Sequence, residues 1–61
     1  MKPIAYLSKH YSPALVTAVR QVITLIEQKG WEYPDASAKV AMKTGFMVEE
    51  ITRAYDALHE G

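Results

Sequence analysis

Cysteine is absent from this 61-residue chain. That excludes a disulfide framework and any thiolate metal site, two staples on which many very short domains depend. Glycine is scarce, with residues only at Gly30, Gly45 and Gly61, so no glycine-rich loop is available to wrap a phosphate. No apolar run approaches the roughly 20 residues needed to cross a bilayer, and no membrane association is expected. Charge of neither sign prevails, because seven Lys and Arg balance seven Asp and Glu. The chain therefore lacks the basic surplus with which nucleic-acid binders collect phosphates. Its start, Met1-Lys2-Pro3-Ile4-Ala5-Tyr6-Leu7, has a lysine but no long apolar segment or cleavage site. A signal peptide is not expected, and the cytoplasm is the expected compartment.

What is present is a helical pattern. Ser12-Pro13 opens the strongest element: serine accepts hydrogen bonds from otherwise unpaired amides, and proline loses none at a first helical position. Leu15, Val16, Val19, Val22, Ile23, Leu25 and Ile26 follow at helical spacing and cover about 180° of the wheel. Lys29-Gly30 supplies the stop, a cation at the negative helix end and a glycine just past it. The spacing predicts a helix over 13–29. Trp31 and Tyr33 then fall in a connector and are expected to fold back over the end of that helix. Asp35 is placed to cap a second helix over about 36–44, with Ala36, Val40 and Ala41 inward and Gly45 ending it. A third helix over about 47–59 puts Met47, Val48, Ile51, Ala54, Tyr55 and Leu58 on one arc. Residues 1–11 are expected to form a short helical turn, with Ile4, Leu7 and Tyr11 on one face; an extended arm packing Ile4 and Tyr6 is the alternative. The expected fold is one all-α domain of three main helices.

From Val40 to Ala54 the chain reads as helix, tight turn, helix. Ala41 is small enough for close helix approach, Gly45 stands four residues later, and Val40, Phe46, Ile51 and Ala54 are apolar. Over residues 37–56 this pattern resembles the helix-turn-helix of bacterial repressors. The resemblance implies that Met47, Val48, Glu49, Thr52 and Arg53 face DNA, with Lys39 and Lys43 near phosphates. Two features depart from it. Met47 holds a place usually given to serine or threonine, and Glu49, Glu50 and Asp56 would oppose phosphates. In length, in the Met-Lys-Pro-Ile-Ala-Tyr start and in its helical pattern, the chain also resembles short uncharacterised proteins of the exo–xis region of lambda-like temperate phages. That resemblance implies a small early product that adjusts host physiology or phage development.

Charge is segregated along the sequence. Residues 1–30 carry Lys2, Lys9, Arg20 and Lys29 against Glu27, a net of +3, and residues 31–61 carry the compensating −3. Catalysis has no foothold: His10 and His59 are isolated, no serine has a nucleophile-elbow setting, and no metal or other cofactor is expected. The expected function is that of a non-enzymatic regulatory or interaction protein with a host or phage protein as partner. Two surfaces offer themselves. One is the wide apolar face of the first long helix, with Val16, Val19, Ile23 and Ile26, serving as a homodimer seam or a groove-docking helix. The other is the acidic outer face of the last helix, with Glu49, Glu50 and Asp56. DNA binding through Lys39, Lys43, Thr52 and Arg53 is the alternative, with Glu49 expected to hold Arg53 one turn along the same helix.

Overall fold

The computed structural model describes residues 2–60, which form four helices: α1 Ala5–Ser8, α2 Pro13–Lys29, α3 Tyr33–Thr44 and α4 Val48–His59. No strand occurs among the described residues, and no helix is long and apolar enough to cross a membrane.

The expected punctuation sets most of the boundaries. Ser12 caps α2, its Oγ accepting from the Leu15 amide at 3.3 Å, and Pro13 takes the first helical place. At the other end Gly30 adopts φ 73°, and the Trp31 amide turns back to the Leu25 carbonyl at 3.0 Å. Only a residue without a Cβ enters this left-handed region cheaply. Gly45 closes α3 in the same way at φ 85°.

Helix α3 begins earlier than the sequence spacing predicts. Tyr33 and Pro34 lie inside its first turn, and Asp35, expected as the cap, is already helical. Proline explains the shift, because a first-turn position needs no amide and its fixed φ suits the helix. Glu32 therefore takes the N-cap place without a side-chain bond, and Asp35 contributes as a first-turn carboxylate near the positive helix end.

Helix α2 is central, packing against α1, α3 and α4. That answers the question posed by its wide apolar arc: three neighbours need more apolar surface than one or two would. The core joins Leu7 of α1 and Val19 and Val22 of α2 to Val40 of α3 and Ile51, Ala54 and Leu58 of α4. The N-terminal segment forms the short helical turn and is tied down twice. Leu7 is fully buried, and the Lys2 amide donates to the Leu58 carbonyl at 2.8 Å. The radius of gyration, 10.5 Å, matches the value of about 10.5 Å expected for a self-contained domain of this length.

Candidate anion-binding groove

The groove between α2 and α3 follows from which flank of each helix is left uncovered. On α3, Lys39 and Ala41 stand about 160° apart on the wheel, so they occupy opposite flanks. Ala41 is buried, and Lys39 and Lys43 are exposed. On α2 the polar residues Thr17, Arg20, Gln21 and Thr24 turn outward, as their spacing requires. The two flanks enclose an open groove of about 330 Å³. Half-buried Leu25 is the apolar side chain on its floor, Val40 lies at the floor only 1% exposed, and Arg20, Lys29, Lys39 and Lys43 are also among its lining residues. No carboxylate and no aromatic residue lines it, and α4 contributes nothing to it.

These four cations make no ion pair among the described residues. Among the described residues no Lys or Arg nitrogen lies within 4.0 Å of an Asp or Glu oxygen. The Glu49–Arg53 pair expected along α4 is thus not formed. An exposed pair of this kind gains only a few tenths of a kcal/mol, which the entropy of two long side chains offsets. The groove draws Lys39 and Lys43 out of the acidic half of the sequence and sets them beside Arg20 and Lys29 of the basic half. Sequence reasoning singled out the two lysines and missed Arg20 and Lys29 as their companions. Helical spacing alone places Arg20 on the outer face of α2, but only the α2–α3 packing brings it opposite α3.

The other surfaces read from the sequence fare differently. Val16 and Val19 are 6% and 0% exposed, so neither can serve a partner seam. Ile23 and Ile26 are half-buried and packed against the core. The apolar face of α2 is thus largely packed within this molecule, with Ile23 and Ile26 keeping partial exposure at its edge. On α4, two of the three carboxylates proposed for a partner are engaged within the fold. Glu50 accepts from the Met47 amide at 3.1 Å, as the N3 carboxylate of a capping box does at a helix start. Asp56 accepts from the Tyr33 hydroxyl at 3.1 Å, leaving Glu49 as the member without a side-chain hydrogen bond.

The alternative DNA-facing set is divided between two faces. Lys39 and Lys43 belong to the groove, whereas Thr52 and Arg53 sit on α4, with the Thr52 hydroxyl donating to the Glu49 carbonyl at 3.3 Å. Met47 and Val48, expected on the inward arc of α4, are 61% and 40% exposed. Met47 precedes the first helical turn in an extended conformation, so it departs from the helical wheel on which that arc was drawn. Trp31, expected to cover the end of α2, is exposed as well.

Tyr33 packs across α3 and α4 instead. Its ring stacks on Tyr55 at 4.6 Å, and Tyr55 stacks on His59 at 4.5 Å. The Tyr33 hydroxyl shares its proton between Asp56 and the Thr52 carbonyl. Burial, reinforced by the Asp56 carboxylate that accepts its hydrogen bond, pushes the Tyr33 phenol up to about 12. This contact staples the start of α3 to the middle of α4.

The chain was compared with protein-family models, curated proteins and solved structures, and it matches none of them.

Proposed function

We propose that this chain is a small non-enzymatic interaction protein whose working surface is the α2–α3 groove, and that it binds an acidic segment of a partner protein there. The observation that carries this reading is the set Arg20, Lys29, Lys39 and Lys43 around one groove with no carboxylate among its lining residues. Like charges gathered without internal compensation raise the local potential, and an incoming anion lowers it. A regulatory role suits a binder of this size, and phage origin stays part of the proposal because of the resemblance at the start of the chain.

Duplex reading by α4 is the weaker alternative. Its outer face offers Arg53 against Glu49, and the cations that would hold phosphates stand on the far flank of α3. A net charge of zero also gives the molecule no long-range attraction to a polyanion as dense as DNA.

The test is fluorescence anisotropy of labelled poly-glutamate with wild type and with Lys39→Gln/Lys43→Gln. Neutralising two rim charges should weaken binding roughly tenfold, and added salt should weaken the wild type as well. Binding that ignores these lysines but falls in Glu49→Gln/Arg53→Gln would move the working surface to α4.

A further inference from the structure

The groove constrains the shape of its ligand as well as its charge. Four recurring modes of peptide capture can be compared with it. Strand addition needs an exposed sheet edge, and the described residues contain no strand. Polyproline capture needs an aromatic-lined channel, and no aromatic residue lines this groove. Phospho-motif capture relies on clustered arginines that grip phosphate in a bidentate fork, and Arg20 is the groove's one arginine. A helix laid in a groove needs an apolar floor with polar rims, which is the arrangement present.

From this, and resting on the reading of the groove as the working surface, we infer that its occupant is an amphipathic acidic helix. One apolar side chain seats against half-buried Leu25, and carboxylates reach the surrounding cations. The spacing fits. Lys39 and Lys43 are four residues apart on one helix, which separates them by about 6 Å along its axis, the rise between two carboxylates four residues apart on a docking helix. Arg20 and Lys29 are nine residues apart on α2, about 13.5 Å along its axis and about 180° around it, so they approach the groove from different sides of that helix. The volume of about 330 Å³ lies at the small end for a binding cavity. It admits one or two anchoring side chains rather than a thick element. A nucleic-acid strand fits less well, because single strands bind by stacking bases on aromatic side chains and the lining supplies none.

The experiment compares four labelled probes on the intact chain. The first is a helical peptide of about 18 residues, long enough to form a helix, with four glutamates surrounding a central leucine. The second is the same peptide with that leucine replaced by asparagine. Poly-glutamate and a duplex DNA, each of matched charge, complete the set. The leucine peptide should bind at least tenfold tighter than the other three and gain helicity by circular dichroism on binding. Its affinity should fall in Arg20→Gln and in Lys43→Gln, both exposed positions whose change leaves the core intact. Binding of the asparagine peptide and of poly-glutamate as tight as that of the leucine peptide would overturn the helical-ligand inference while leaving the groove as an anion site. Tightest binding of the duplex would overturn it in favour of nucleic acid. Failure of every probe to bind would overturn the inference together with the reading of the groove beneath it.

Discussion

Removing the hydroxyl of Ser37 should make this protein more stable. Ser37 is 1% exposed on α3, and its Oγ has no hydrogen-bond partner. Other hydroxyls on these helices return their proton to a carbonyl one turn back: Thr44 to Val40 at 2.7 Å and Thr17 to Pro13 at 3.1 Å. Ser37 makes no such bond, so the fold carries the cost of its desolvation without compensation. That cost is on the order of 1–3 kcal/mol in proteins. Taking its lower end and adding about 0.5 kcal/mol for the better helix propensity of alanine gives a gain of about 1.5 kcal/mol. For a domain of this length the melting temperature should rise by roughly 6–12 °C. Alanine removes a single oxygen, the smallest void that truncating this side chain can leave. The assay is thermal unfolding of wild type and Ser37→Ala followed by far-UV circular dichroism. A melting temperature that falls by several degrees would show that the hydroxyl is hydrogen-bonded in solution and would refute the reasoning.

Other positions give equally direct tests. Gly45→Val should destabilise by about 1–2 kcal/mol, because the cost arises from a φ of 85° that a β-branched residue resists. No atom lies within 4 Å of an added Cβ there, so Gly45→Asn should cost clearly less in chemical denaturation. Val19→Asp should leave the chain unfolded by circular dichroism, since Val19 is fully buried and an unpaired carboxylate cannot be accommodated there. A folded but dissociated Val19→Asp species would restore the dimer seam. Stability should also decline in alkali. The Tyr33 phenol is raised in the fold to about 12 from an ordinary value of 10.0. The folded chain therefore holds its proton more tightly, and this contribution is complete below pH 10 and is lost as pH rises through about 12. Tyr33→Phe should flatten that part of a stability-versus-pH curve measured by urea denaturation.

Much of the fold was legible because local chemistry determines it. Ser12-Pro13 and Gly30 bound α2 by capping and left-handed closure, and the alternation of Leu15, Val19 and Val22 places its inner face. Gly45 announced the turn for the same reason. The start of α3 was misplaced because proline is read both as a breaker and as a first-turn residue, and only packing decides between them. The site was legible in part. Helical spacing puts Lys39 and Lys43 outside, but nothing local says that α2 presents Arg20 and Lys29 to them. Conversely, the apolar arc of α2 looks like a docking face as long as its number of neighbours is unknown. Once α1, α3 and α4 are packed around it, Leu15, Val16, Val19 and Val22 are core, and Ile23, Leu25 and Ile26 are half-buried at its edge. On the acidic face of α4 the sequence likewise left unread that Glu50 is held by an amide at its own helix start and Asp56 by a tyrosine from another helix.

The most direct test of the groove as the working surface is a backbone amide NMR titration of the intact chain with the acidic leucine-centred peptide. Amides along the facing flanks of α2 and α3, around Gln21, Leu25, Lys39 and Lys43, should shift in proportion to the ligand bound, while those of Glu49, Thr52 and Arg53 stay in place. Shifts concentrated on Glu49, Thr52 and Arg53, with the α2–α3 flanks unmoved, would contradict the account.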